Sequence, residues 1–173
     1  MANPKKDIFL SIRKQVLDQV KEINHMLLFN NQFDRDNEEE AFSYPNCFFE
    51  YVQLIWNGNI KQTQTGETQI KLHLGFERYE TESLTIFDTI QKVYLALQGF
   101  SDTNLFTGLQ RIEEEQDTDH DQVIVWTITF STQITDCEAN PDATKQQIII
   151  GDLEIIKKLD IDNPIIRTGD GKF

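Results

Sequence analysis

The residues that come closest to a chemical site are the acids around one histidine, in the sequence Asp117-x-Asp119-His120-Asp121. Alternating carboxylates are the ligands that a hard cation such as calcium prefers. An EF-hand loop, however, needs Gly at its sixth position and Glu at its twelfth, whereas residues 123–130 here have the pattern of a strand. We therefore interpret the segment as the solvated tip of a hairpin.

Other constellations are weaker still. His25, His73 and His120 are the only histidines, and no His-x-x-x-His or Cys-His spacing links them. His25 and His73 are each expected on a solvent-facing side of their element. The chain has no Gly-x-Ser-x-Gly elbow, and Gly169-Asp170-Gly171 precedes no helix that could bind phosphate. The sequence thus predicts no catalytic residue, no metal and no cofactor.

Three consecutive acids, Glu113, Glu114 and Glu115, stand in a weak strand pattern. Successive side chains of a strand point to opposite faces, so a carboxylate pair is possible there. A glycosidase, however, also needs a deep cleft and apolar surroundings for its acid. Charged residues are typical of an exposed sheet edge, where they discourage pairing with other chains, and this is our interpretation.

Composition limits the classes of function. The chain has 173 residues and a formal net charge of −13, which disfavours binding to nucleic-acid phosphates. Its length predicts one domain with an appendage. Cys47 and Cys137 match no metal spacing and are expected as reduced thiols. Neither a signal peptide nor a membrane span is expected, which indicates the cytoplasm or a particle assembled there.

Hydrophobic periodicity predicts two helices and two strand pairs. The helices are expected at about 6–29 and from Ser83, as a cap, to a stop at Gly99. The first strand pair, 47–56 and 70–77, should be joined by a long polar tip. The second pair is 109–115 with 123–134. Phe48, Val52, Leu54 and Trp56 are predicted on one face of their strand, and both tryptophans in the core.

The last segment differs in character. Residues 138–173 are rich in isoleucine without a clear period, and we predict an extended arm that packs either on its own sheet or on neighbouring subunits or rings. Its candidate interface residues are Ile148, Ile149, Ile150, Ile155 and Ile156. The fold class is therefore α+β, a mostly antiparallel sheet of two hairpins flanked by an N-terminal and a central helix, over residues 1–137.

This order of elements resembles a known family. The likeness is carried by the N-terminal helix, a strand beginning Tyr44-Pro45-Asn46-Cys47-Phe48-Phe49-Glu50-Tyr51 and a second strand, Ile70-Lys71-Leu72-His73-Leu74. It continues through the helix of residues 86–100, the acidic stretch 111–121 and the strand 123–130. Together they resemble the tail terminator and tail-completion (neck) proteins of tailed bacteriophages, over about residues 5–137. The resemblance is an arrangement of elements with a few favoured residues.

The resemblance implies a structural virion protein without enzyme activity. Members form a hexameric ring of identical subunits at the head-proximal end of the tail, cap the tail tube and join it to the connector or neck. The ring is assembled in the bacterial host cytoplasm, and DNA passes through its channel without specific binding. Our hypothesis is that the loop 34–40 or the 113–121 tip faces this lumen, with the candidate residues Glu113, Glu114, Glu115, Asp117, Asp119 and Asp121.

Two other classes remain open from the sequence. The runner-up is a stand-alone binding or regulatory domain with a ferredoxin-like sheet, a monomer or dimer with a small-molecule cleft. The third is a metal-dependent hydrolase that uses Asp117, Asp119, His120 and Asp121. The native mass discriminates the ring from the regulatory domain, and a shift in melting temperature with calcium, manganese or zinc would favour the hydrolase.

Overall fold

A computed structural model describes residues 3–34, 43–60, 62–78, 82–102, 105–120 and 123–139. Within these ranges the chain is an α+β protein with two α-helices and one five-stranded, mostly antiparallel open sheet. The helices are α1 (Pro4–Gln19) and α2 (Ser83–Leu97). The strands are β1 (Met26–Leu28), β2 (Asn46–Ile60), β3 (Thr63–Glu77), β4 (Gln110–Asp117) and β5 (Val123–Asp136). The predicted fold class is confirmed, while the predicted arm lies almost wholly outside the described residues.

The strand order across the sheet is β1-β2-β3-β5-β4, so β3 is central and β1 and β4 are the edges. The β2–β3 and β4–β5 hairpins lie side by side through β3 and β5, which pair antiparallel from Gln64↔Asp136 to Glu77↔Val123. β1 pairs parallel with the start of β2. The predicted pair of hairpins is thus confirmed, with a short parallel edge strand added.

Both helices pack on one face of the sheet. The even-numbered residues of β3 and β5 point toward them, and most are fully buried, as at Leu72 and Ile128. α1 lies over β2, where the Phe9 and Phe49 rings meet edge to face at 5.3 Å. α2 lies over β5 and β4, where Phe87 meets Trp126 at 5.9 Å. The sheet face opposite the helices is called the open face below.

The predicted helix over 6–29 is ten residues too long, because α1 ends at Gln19. Asn3 caps its start, accepting a hydrogen bond from the Lys6 backbone N–H at 3.2 Å. Val20, Ile23 and Met26 follow at a spacing of three and are all buried, which mimics a helical stripe. Beyond α1 the chain enters the core through a turn and β1 instead.

A bulge in β2 overturns the predicted face of that strand. The pairing with β3 skips one residue between Tyr51 and Gln53, and Val52 is exposed. One inserted residue exchanges the two faces of a strand. Phe48 therefore lies on the open face, while Leu54 and Trp56 lie on the helix side and pack against the core, as Trp126 also does.

Two local predictions at element ends were also wrong. The polar tip of the first hairpin is short, because β2 continues to Ile60 and β3 begins at Thr63. Ser83 is the first residue of α2, and Glu82 occupies the cap position without a side-chain hydrogen bond. The predicted stop at the other end is confirmed, since Gly99 adopts a φ of +78° that favours glycine.

Candidate functional site

Polar side chains form cross-strand rows on the open face. One row runs from Glu50 in β2 through Lys71 and Thr129 to Glu113 in β4, as the strand registers place them. The next row begins at the apolar Phe48 and continues through the polar residues His73, Thr127 and Glu115. Lys71 joins the two rows, with its Nζ 3.6 Å from Glu115 Oε1. The open face therefore has ordered charges of both signs, with acids in excess.

His73 is the most enclosed titratable group of this face. Its Nε2 donates a hydrogen bond to Glu50 Oε2 at 2.7 Å, because a carboxylate can only accept. The Phe29 ring stacks on the imidazole, and only 8% of His73 is exposed. Burial lowers the pKa of His73 and outweighs the opposite effect of Glu50. The prediction that His73 faces solvent is therefore wrong: the residue lies on the open face, but Phe29 covers it.

An aromatic cluster covers the end of the open face near the start of β2. Phe33 meets Phe48 edge to face at 5.1 Å and lies 5.7 Å from the His120 ring. It also rests on Gly75, where an added Cβ would lie 2.5 Å from both Phe33 Cε1 and Asn46 Oδ1. Glycine at this position therefore permits the approach of segment 29–34 to the sheet.

Asn46 is fully buried beneath this cluster. Among the described residues neither Oδ1 nor Nδ2 of its side chain has a hydrogen-bond partner. Burying an amide without hydrogen-bond partners costs about 1–3 kcal/mol.

The best metal candidate of the sequence has its oxygens engaged. Asp117 Oδ1 accepts a hydrogen bond from the Asp119 backbone N–H at 3.1 Å, and Oδ2 lies 3.3 Å from His120 Nε2. Asp121 lies outside the described residues. Within the described ranges no group of three or more His, Cys, Asp or Glu side chains could hold a metal ion. Residues 117–120 form a turn at the β4–β5 tip, and contacts within the turn hold the Asp117 carboxylate.

The acids of β4 that were predicted to face the lumen lie on two different faces of the sheet. Glu113, Glu115 and Asp117 share the open face, as their register with β5 requires. Glu114 points to the helix side, where it accepts hydrogen bonds from Arg111 at 2.6 Å and from Trp126 Nε1 at 3.0 Å. The exposed edge predicted for these acids is confirmed for β4. The loop 35–40 and the five arm isoleucines lie outside the described residues.

The predicted position of His25 on the first helix is wrong, because the residue lies in the connection between α1 and β1. Its backbone carbonyl accepts a hydrogen bond from the Cys47 N–H. It is half-buried, and burial lowers its pKa. Both cysteines are free thiols: Cys47 is buried in the core and Cys137 is half-buried after β5.

A polar groove of about 300 Å³ occupies the other end of the open face. Four glutamines line it, Gln53, Gln69, Gln110 and Gln133, together with Ile55 and Glu67 among others. Amide side chains both donate and accept hydrogen bonds, which suits an uncharged polar ligand. Sequence reasoning missed this groove, because its residues come from four strands and only the strand register brings them together.

Sequence reasoning also missed the aromatic cluster. Its signal is the pair Phe29 and Phe33 four residues apart, but the sequence pattern predicts the end of a helix at Phe29 and a polar connection at Phe33. No helix within the described ranges is long and apolar enough to cross a membrane. No protein-family model and no curated protein matches this chain.

Proposed function

We propose that this protein is a structural component of a bacteriophage tail. In this proposal identical subunits, six as the family resemblance implies, form a ring at the head-proximal end of the tail, where it ends the tail tube and joins it to the connector. DNA passes through the ring without specific binding, and the subunit performs no catalysis. The proposal rests on the family resemblance of the element order together with the charge of the open face.

The observation that carries the proposal is the distribution of acids over the sheet. Glu50, Glu67, Glu113, Glu115 and Asp117 all belong to the open face, with Lys71 as the basic residue among them. Carboxylates repel DNA phosphates, so a channel lined by this face would let DNA slide without holding it. The net charge of −13 acts in the same direction.

The test is the native mass of the full chain over a wide concentration range, combined with electron microscopy of the particles. We expect a closed ring with a central hole wide enough for duplex DNA. A monomer or dimer that also fails to bind purified tail tubes would overturn the proposal.

The lumen assignment has its own test. Changing Glu113, Glu115 and Asp117 together to Lys should make the ring retain linear duplex DNA, in a salt-dependent manner. The control is Glu82→Lys, an exposed acid at the start of α2 and away from the open face, which should leave DNA unbound. Retention that is equal in the two variants would place the channel elsewhere.

The glutamine-lined groove favours a second candidate, a binding domain for a small uncharged ligand. The ferredoxin-like arrangement expected for such a domain is not formed, because α1 precedes every strand and the order is not β-α-β-β-α-β. A thermal-shift screen with neutral sugars and amides tests this candidate. A ligand that stabilises the wild type but not Gln69→Ala, in a protein that stays monomeric, would support it over the ring.

A further inference from the structure

The groove of the open face has a floor made by one cross-strand row of amide and hydroxyl groups. The strand registers place Gln53, Gln69, Ser131 and Gln110 opposite one another on β2, β3, β5 and β4. Neighbouring strands lie about 4.8 Å apart, so the row extends roughly 14 Å across the sheet. Gln69 and Ser131 at its centre are half-buried, while Gln53 and Gln110 at its two ends are exposed. Backbone pairing therefore fixes a line of hydrogen-bonding groups along the floor.

A second row and one loop form the rest of the groove. The row next to the floor contains Ile55, Glu67 and Gln133. β4 begins only at Gln110, and Thr107 takes its place beside this part of β5. The Thr107 backbone N–H donates a hydrogen bond to the Gln133 carbonyl at 2.9 Å, and Thr107 Oγ1 accepts one from the Gln133 N–H at 3.1 Å. These two hydrogen bonds hold the wall of the groove in position.

The fold itself does not use the amide groups of the groove. Some other glutamine side chains bond to the backbone, namely Gln15 to Ala96, Gln32 to Leu28 and Gln98 to Arg111. Within the described ranges no hydrogen bond of this kind is made by the side chains of Gln53, Gln69, Gln110 and Gln133. Their donors and acceptors therefore remain for a ligand.

The charges at the groove disfavour an anionic ligand. Glu67 is the charged residue among the described lining residues, and Glu50 and Glu113 stand in the adjacent row of the open face. Lys71 of that row is paired with Glu115. Carboxylates repel phosphate and carboxylate groups, so nucleotides, sugar phosphates and organic acids are poor ligands for this groove.

Hydroxyl groups match the lining side chains best. A hydroxyl both donates and accepts, so it can bond to either end of an amide and can donate to the Glu67 carboxylate. An ammonium or guanidinium group has donors only and would leave the amide N–H groups unmatched. Ile55, which is 45% exposed, supplies an apolar contact for C–H groups. A compact carbon ring with several hydroxyls meets all of these conditions.

We propose that the groove binds a neutral mono- or disaccharide. Its volume of about 300 Å³ lies at the lower end for small-molecule sites. Gln69 and Ser131 bond to hydroxyls from the floor, Gln53 and Gln110 bond from the two sides, and Glu67 accepts a hydrogen bond from one hydroxyl. The inference rests on the second candidate of the proposed function, whose ligand class it names, and it applies to a free subunit and to a ring subunit alike.

The test is saturation-transfer NMR of the full chain with glucose, galactose, mannose, N-acetylglucosamine, maltose and cellobiose. We expect at least one of them to bind, and the uronic acid that corresponds to the bound sugar to bind more weakly or not at all. Gln69→Leu and Gln110→Leu each remove one amide at similar volume and should weaken binding about 3- to 10-fold.

Gln116→Leu is the matched control and should bind like the wild type. It changes the same residue type on β4, but Gln116 is in register with Trp126 on the helix side of the sheet. A far-ultraviolet spectrum and a melting curve check the fold of each variant. Gln110 is exposed, so this variant keeps the test valid if Gln69→Leu loses stability.

Two outcomes would overturn the inference: a wild type that binds no saccharide of the panel, and binding that neither Gln69→Leu nor Gln110→Leu weakens. If a neutral amide such as acetamide binds in the groove where no saccharide does, the second candidate stands and the carbohydrate class is wrong. Binding of neither kind of compound overturns both. The ring proposal is decided separately, by the native mass.

Discussion

Phe29 stacks on His73 with ring centroids 3.7 Å apart and an angle of 5° between the planes. The two residues come from different parts of the sheet, since His73 belongs to the central strand β3 and Phe29 follows the edge strand β1. The stack ties segment 29–34 to the open face. It thereby divides that face into an enclosed aromatic end and an exposed polar end with the groove.

We expect Phe29→Ala to lower the free energy of unfolding by about 1–3 kcal/mol, since it removes a half-buried aromatic contact and uncovers His73. Phe29→Leu is the matched control, because it keeps apolar cover and loses only the stacked ring. It should cost about half as much or less. Urea denaturation at neutral pH measures both, and equal costs for the two variants would show that the stack itself contributes little.

His73 should make the protein less stable in mild acid. Its pKa in the folded protein lies below the ordinary 6.5, so the unfolded chain takes up the proton first. The stability that the neutral imidazole contributes is complete above pH 6.5 and is lost as the pH falls from 6.5 through the lowered pKa. His25 is shifted in the same direction by burial.

Replacement of His73 by Gln should flatten the pH dependence of stability below 6.5, leaving the part due to His25. The readout is the denaturation midpoint at several pH values between neutral and mildly acidic. A slope that is unchanged in His73→Gln but disappears in His25→Gln would assign the whole effect to His25 instead.

Gly75→Ala should destabilise the fold by about 1–3 kcal/mol, the usual cost of overpacking. The new methyl group meets Phe33 and Asn46 at 2.5 Å, and Asn46 is fully buried. Introducing the change into Phe33→Ala relieves one of the two contacts. The double variant should therefore be more stable than the sum of the two single costs predicts. Additive costs would mean that Phe33 does not rest on Gly75 in solution.

Thiol labelling should separate the two cysteines. Cys47 is fully buried and burial raises the pKa of its thiol, so it lacks both access and thiolate. Cys137 is half-buried after β5. A disulfide reagent should modify one thiol per native chain rapidly and the second only on unfolding. Cys137→Ser removes the rapid phase, and rapid labelling that persists in this variant would contradict the burial of Cys47.

Divalent cations should leave the melting temperature unchanged. The two carboxylate oxygens of Asp117 already contact the Asp119 backbone and His120, and no group of three or more potential ligands is formed within the described ranges. Calcium, manganese and zinc are each added to the metal-free protein and compared with Asp117→Asn. A stabilisation by any of them that Asp117→Asn abolishes would revive the hydrolase interpretation.

Strong local patterns explain what the sequence predicted well. α2 and β5 have regular apolar periods, 3.6 in the helix and 2 in the strand, and both were located within a few residues. The acids of β4 correctly indicated an edge strand. Each of these signals is contained in one segment and does not depend on a distant partner.

The misses depend on contacts between distant segments. The end of α1 was missed because Val20, Ile23 and Met26 are buried through tertiary packing at a helix-like spacing. The bulge at Val52 is visible only in the register with β3. The Phe29–His73 stack joins residues on two elements that are not neighbours in the sheet, and no local pattern encodes it.

The central position of β3 has a consequence for synthesis on the ribosome. β3 ends at Glu77 and its second neighbour β5 ends at Asp136, so the β2–β3 hairpin emerges well before the strand that completes its pairing. At about 5–20 residues per second, this interval lasts on the order of 3–12 seconds. During that time one long edge of the hairpin lacks its neighbouring strand, and an unpaired edge of this kind is a template for aggregation.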